Sequence, residues 1–236
     1  MNRQEYYRQK YKEQNPGWTD SVKLYKTIIN GLVDSKTRIL DIGCGHGDFM
    51  QDIYRKTSEV YGLDPDSRAI EKNQIIKKKT VGNAESLPYK ENFFDMVVLA
   101  WVLEHLNAPE RVFAEICRVL KPGGRVVFLT PNDNNYNVWL SRLIADAFHD
   151  FLTRRLYGRQ EHDTYKAVYR VNTPKQIDKI LQANGFEKEQ LILNGDPSYI
   201  SFNKILFKLS CFIEKLLNIK AFSFAKVHLI GVYRKK

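Results

Sequence analysis

The sequence predicts an α/β fold, a doubly wound, mostly parallel sheet of seven strands, and three observations carry that prediction. Short leucine-rich and β-branched runs alternate with longer segments whose apolar residues recur at helical spacing. The first run ends in an acid and continues into alternate glycines, Arg38-Ile-Leu-Asp-Ile-Gly-Cys-Gly-His-Gly-Asp48. A second run, Val60-Tyr-Gly-Leu-Asp64, also ends in an acid, 21 residues after Gly43. Acids and glycines at the tips of parallel strands mark a ligand crevice along the carboxyl edge of such a sheet.

The elements follow in order. Residues 1 to about 18 are polar and tyrosine-rich (Tyr6, Tyr7, Tyr11, Trp18) and read as a mobile arm or lid. A helix from Thr19 to about Leu32 would bury Val22, Tyr25, Ile28, Ile29 and Leu32. Then come strand 37–42, helix 47–56, strand 59–64, helix 66–76, short strand 79–81, strand 94–100, helix 108–119 and strand 124–130. Thr173-Pro-Lys-Gln opens a further helix that ends at Asn184-Gly185. Phe186 to Leu193 and Val227 to Val232 are the last strands. Residues 1–36 thus form an arm and helix ahead of one ligand-binding domain, 37–236, with insertions at about 133–170 and 196–225. The first insertion carries Trp139, Leu140, Ile144, Phe148, Phe151 and Leu152 on one side. The second carries Ile205, Leu206, Leu209, Phe212, Ile213, Leu216 and Leu217, with Lys204, Lys208 and Lys215 set opposite. Core packing or a substrate lid is the expectation for both, with a membrane-surface helix as the alternative for the second.

Composition narrows the class. The 236 residues suit one well-buried domain, and 43% apolar content is enough for a packed core. No signal peptide is legible, and no run reaches the ~18 apolar residues of a spanning helix. Cys44, Cys117 and Cys211 lie far apart and lack metal-ligand spacing, which predicts reduced thiols, a cytoplasmic protein and no metal. The net charge is +10, and residues 201–236 hold eight Lys/Arg against one acid, Glu214. Nucleic acid, anionic lipid, an acidic substrate or plain solvation would each suit that charge.

The loop itself discriminates among cofactors. A nicotinamide dinucleotide prefers G-x-G-x-x-G, with its pyrophosphate on a helix N-terminus. Here the third glycine, Gly47, comes one residue early, and Asp41 precedes the loop. An anion is poorly placed there, whereas S-adenosylmethionine brings an ammonium group, a sulfonium and no phosphate. Asp64 can accept both ribose hydroxyls, a feature shared with dinucleotide folds. Two more segments lie downstream: Val81-Gly-Asn-Ala-Glu-Ser-Leu-Pro88, and Phe94 to Leu106 containing Ala100-Trp-Val-Leu-Glu-His105. Leu120-Lys-Pro-Gly-Gly124 follows them. Together the motifs resemble, over about residues 37 to 131, the class I S-adenosylmethionine-dependent methyltransferases, in particular their small-molecule, type 11-like group.

The resemblance implies a Rossmann-like methyltransferase fold whose final strand runs antiparallel, and S-adenosyl-L-methionine as cofactor. It puts Gly43, Gly45 and Gly47 under the methionine moiety and ribose, with Cys44 filling a tight turn. Asp41 would neutralise the amino group, and Asp64, followed by Pro65, would hold the ribose. Asn83 and Ala84 match positions that meet adenine; Asn83 stands where the family usually has Asp, and its amide oxygen can still accept from the exocyclic amine. Leu63 and Leu87 would sandwich the purine or belong to the core. Ala100 borders the cofactor at the tip of the fourth strand. Glu104 and His105 border both cofactor and acceptor, and His105 is either a general base or an ordering residue for the loop. His149, Glu161 and His162 are further base candidates, and Tyr165 and Tyr169 would line an acceptor pocket or simply pack.

The expected activity is methyl transfer to a small-molecule or lipid-linked acceptor, with peripheral membrane contact as a secondary expectation. RNA methylation is the alternative, opposed by the lack of an Asp/Asn-Pro-Pro-aromatic motif after the fourth strand. A nicotinamide oxidoreductase is opposed by the loop spacing. A non-catalytic cofactor- or membrane-binding protein is the third alternative.

Overall fold

The strands are β1 (Ile39–Ile42), β2 (Val60–Asp64), β3 (Lys78–Val81), β4 (Phe94–Ala100), β5 (Leu120–Pro131), β6 (Phe186–Asn194) and β7 (His228–Lys235). They form one seven-stranded sheet in a computed structural model, described for residues 2–47, 50–138 and 167–236. The spatial order is β3-β2-β1-β4-β5-β7-β6. The first five strands are mutually parallel, and β7 lies antiparallel between β5 and β6, as the resemblance implies. The strand order reverses between β1 and β4, the switch point where open sheets of this kind leave a crevice.

Side chains alternate across β1, so Leu40 and Ile42 enter one core and Ile39 the other. The first core joins them to Val97, Leu99 and Phe128 and to α5 (Pro109–Val119) and α6 (Pro174–Ala183), through Phe113, Ile116, Ile177 and Leu181. The second packs Ile39, Val98 and Val127 against Tyr25 and Ile29 of α2 (Ser21–Leu32) and Ile53 of α3 (Gln51–Tyr54). Asp41 lies on this second face, where it meets Tyr54. Strands covered on both faces read as near-continuous apolar runs, which explains why their sequence limits were legible.

Caps set the helix starts. Asp20 caps α2, Asp66 caps α4 (Ser67–Lys72), and Thr173 with Gln176 forms a capping box on α6.

The structure departs from the sequence expectations at five places. The N-terminal arm contains a helix, α1 (Arg3–Gln14), whose Tyr7 and Tyr11 are buried. Helix α3 is shorter than the expected 47–56, and residues 48–49 of that range lie outside the described residues. Helix α4 stops before residue 76 because Asn73 leaves helical geometry to bond the glycine loop. Strand β5 begins at Leu120 rather than 124, since Leu120 already pairs with Phe94 across an irregularity in the ladder. The largest departure concerns α7 (Lys204–Leu217), for which core packing or a substrate lid is the expectation and a membrane-surface helix the alternative. It buries Phe207, Ser210, Glu214 and Leu217 and turns Ile205, Leu209, Phe212 and Leu216 outward. The first insertion's Trp139, Leu140, Ile144, Phe148, His149, Phe151, Leu152, Glu161, His162 and Tyr165 lie outside the described residues. No helix among the described residues is long and apolar enough to cross a membrane.

Candidate functional site

The loop after β1 is held by the tip of β2. The Leu63 carbonyl accepts from the N–H groups of Gly43 (2.7 Å) and Cys44 (3.3 Å). The Gly45 N–H donates to Asp64 Oδ2 at 2.8 Å, and the Asp66 N–H donates to Asp64 Oδ1 at 2.9 Å. All three loop glycines adopt positive φ, namely 74°, 44° and 76° at Gly43, Gly45 and Gly47. At Gly43 a side chain is doubly excluded, because a methyl group there would also strike Val102. At Gly45 the space where a side chain would stand is open for 4 Å, so a bound molecule can lie against bare backbone. From below, the Asn73 amide donates to the Gly45 carbonyl at 3.1 Å while its oxygen accepts from Ile75 and Ile76 N–H.

Asp41 is buried at the carboxyl end of β1, and the Tyr54 hydroxyl donates to its Oδ2 at 2.6 Å. Burial, with the like charge of Asp64 added, pushes its pKa up to about 7, against the pull of the Tyr54 hydrogen bond. An ammonium group entering the loop would relieve that penalty, so the donor set fits the amino end of S-adenosylmethionine. Burial and the two carboxylates also push the Cys44 thiol well up, which makes it a neutral space-filler rather than a nucleophile. Its sulfur occupies the space beside Gly62.

The remaining predicted residues cluster with unequal clarity. Register pairs Ile42 with Leu99, so the half-buried Ala100 stands beside Gly43. Gly82 N–H bonds the Asp64 carbonyl at 3.1 Å, which brings Asn83 to the tip of β2. Asn83 is exposed, and its side-chain oxygen already accepts from the Glu85 N–H at 3.0 Å. Pro65 is exposed next to Asp64, while Leu63, Ala84 and Leu87 belong to the first core.

Glu104 and His105 sit in the 3-10 turn Leu103–His105 past β4. The buried Glu104 accepts from the Thr130 hydroxyl at 3.0 Å, and Thr130 in turn accepts from the Asn172 amide at 2.6 Å. The Glu104 carbonyl also takes the Val168 N–H at 2.7 Å. That network makes Glu104 an ordering group for the turn. His105 is half-buried on the same turn.

Three residues that the sequence reading passed over complete the setting: Asn73, Trp101 and His228. Trp101 follows the tip of β4 with φ of 60°, a conformation costly for a bulky residue. Its ring stands 5.0 Å from that of His228, the first residue of β7. His228 is held between Ser21 Oγ (2.9 Å from Nδ1) and the Tyr199 hydroxyl (2.8 Å from Nε2). Burial pushes its pKa down to about 4, so it is neutral at physiological pH. Nothing local in sequence distinguishes His228, whereas a tryptophan directly after the fourth strand was a visible signal. Among the described residues no group of three or more His, Cys, Asp or Glu could hold a metal ion.

Comparison with known proteins places this geometry. Residues 40–128 match a methyltransferase-domain family. The chain is 29% identical over 179 residues to a demethylmenaquinone methyltransferase of Thermotoga maritima, an alignment covering 70% of this chain and 77% of that protein. It is 36% identical over 104 residues to a ubiquinone/menaquinone biosynthesis C-methyltransferase UbiE of Stutzerimonas stutzeri, covering 39% and 41%. A solved S-adenosylmethionine-dependent methyltransferase of Methanosarcina mazei superposes with TM-score 0.59 at 22% identity, covering 88% of this chain and 96% of that one. The chain spans less than half the length of several of the curated relatives it matches.

Proposed function

We propose that this chain, whose residues 40–128 match a methyltransferase-domain family, is a class I S-adenosylmethionine-dependent methyltransferase of the type 11 kind that transfers a methyl group to an apolar small-molecule or lipid-linked acceptor. The observation that carries this reading is the buried Asp41 carboxylate beside an open glycine backbone, with Asp64 on the far side.

When bound, the cofactor supplies a methyl group on a positively charged sulfur. The chain binds and aligns. Asp41 would pair with the ammonium group, and Gly45 would let it lie close to bare backbone, while Gly47 leaves room for the Asn73 side chain that supports the loop. Each Asp64 oxygen accepts one backbone N–H and keeps a lone pair for a ribose hydroxyl. Asn83 Oδ1 likewise keeps one lone pair for the adenine amine. Ala100 closes the floor beneath the transferring group.

The acceptor approaches from the Trp101 and Tyr169 side, past the turn that Glu104 orders. The chain's part in the transfer would be chiefly to align the acceptor's nucleophilic atom with the bound methyl donor. Where the acceptor must lose a proton, His105 takes it. An apolar acceptor is supported by the Trp101 wall, and by the quinone-pathway names carried by the relatives.

Methyl-labelled S-adenosylmethionine incubated with a panel of apolar phenols and quinols tests the reading. Label in the organic phase supports it. Label in RNA alone, or in no member of the panel, refutes the acceptor class.

A further inference from the structure

Helix α7 is built with its apolar side out. Its inner face is Phe207, stacked on Tyr7 at 4.8 Å, with Ser210, Glu214 and Leu217. Ser210 bonds the Leu206 carbonyl at 2.9 Å, and Glu214 lies against Gly195. Outside stand Ile205, Leu209, Phe212 and Leu216, which are 79%, 48%, 58% and 40% exposed. At 3.6 residues per turn these four fall within an arc of about 60°. The strip continues past the helix in Ile219, Phe222 and Phe224, each about half exposed.

Seven large apolar side chains open to water along 20 residues are costly for a protein that meets only water. The flank of the strip is uniformly basic. Lys204, Lys208 and Lys215 form one exposed row beside it, and Lys220 stands at its end. The only acid between residues 201 and 236 is Glu214, tucked beneath the helix. An apolar strip edged by lysines is complementary to a bilayer with anionic headgroups, where the strip enters the acyl boundary and the ammonium groups meet phosphates.

The strip also borders the crevice. The Asn132 amide, one residue past β5, donates to the carbonyls of Phe224 and Lys226, both at 2.7 Å. Two residues on, His228 touches Trp101. We propose that α7 and residues 219–224 dock this protein flat on an anionic lipid surface and turn the acceptor side of the crevice toward the bilayer. The orientation half of this proposal rests on the apolar-acceptor reading above; the docking half stands on α7 alone.

The test is co-sedimentation of the full chain with phosphatidylglycerol–phosphatidylcholine vesicles and with phosphatidylcholine vesicles. Selective, salt-sensitive association with the former is expected. Lys204→Gln, Lys208→Gln and Lys215→Gln should each weaken it about fivefold. Phe212→Glu should weaken it at least about tenfold. Equal association with both vesicles, none with either, or variants that bind like the parent chain would overturn the proposal. So would light scattering in which Phe212→Glu merely converts a dimer to a monomer, because the strip would then belong to a second copy. Calorimetry with S-adenosylhomocysteine on the same preparations separates the two readings. A chain that binds this compound but no vesicle sinks the docking and leaves the proposed function standing; the reverse result sinks the proposed function and the orientation half with it, and leaves the docking half standing.

Discussion

Asp41 offers a pH signature in which stability and ligand affinity move in opposite directions. Its pKa of about 7 in the fold, against 3.8 for the free side chain, means that the folded protein prefers the protonated form. The contribution to stability is therefore fully present below pH ~4 and is lost as the pH rises through about 7. A shift of this size corresponds to something on the order of 4 kcal/mol in the unliganded protein. Binding an ammonium ligand needs the ionised form. At pH 6 about one molecule in ten carries it, so affinity should fall about tenfold per pH unit below 7 and level off above. Asp41→Asn removes both effects while keeping an oxygen for the Tyr54 hydroxyl. At pH 8 the unliganded variant should melt higher than the parent, yet bind S-adenosylhomocysteine about 10- to 100-fold more weakly by calorimetry. A pH-independent affinity between pH 5.5 and about 7, or the same slope in Asp41→Asn, would refute the assignment of the ammonium group to Asp41.

Three further outcomes follow from the same geometry. Gly43→Ala forces a side chain into positive φ and against Val102, which should cost about 2–4 kcal/mol of stability by chemical denaturation; Val102→Ala in the same chain should return part of it. Asn73→Ala cuts the bonds to the Gly45 carbonyl and to the Ile75 and Ile76 N–H groups. A loss of about 1–3 kcal/mol is expected, with weaker cofactor binding and an unchanged acceptor KM. Thr130→Val removes the hydroxyl between Glu104 and Asn172, so hydrogen exchange at the Val168 and Tyr169 amides should accelerate before global stability changes.

Much of the fold was legible because its signals are local. The β1 loop is one contiguous segment, and its three glycines and two strand-tip acids can be read without knowing what packs where. Helix α6 announced itself through Thr173, Pro174 and Gln176. Helix α1 left a fainter trace, Asn2 three residues ahead of Glu5, and its burial depends on Phe207 far along the chain. Periodicity found α7 but not its orientation, since an amphipathic reading assumes that the apolar side faces in, and here Ser210 and Glu214 share the inner face with Phe207 and Leu217. Asn73, Trp101 and His228 acquire their places only through tertiary contacts: an amide under a loop, a strained strand tip, a histidine from the antiparallel strand. Pro122-Gly123-Gly124 reads as a turn in sequence, and only pairing between Leu120 and Phe94 brings it into β5.

The central claim, that the two strand-tip carboxylates and the open glycine backbone cradle an adenosyl sulfonium compound, is tested most directly by calorimetric titration of the parent chain and Asp64→Ala. One molecule of S-adenosylmethionine should bind per chain, with affinity falling by at least about tenfold in Asp64→Ala. Saturation by a nicotinamide dinucleotide without binding of S-adenosylmethionine, or equal affinity in the two chains, would contradict it.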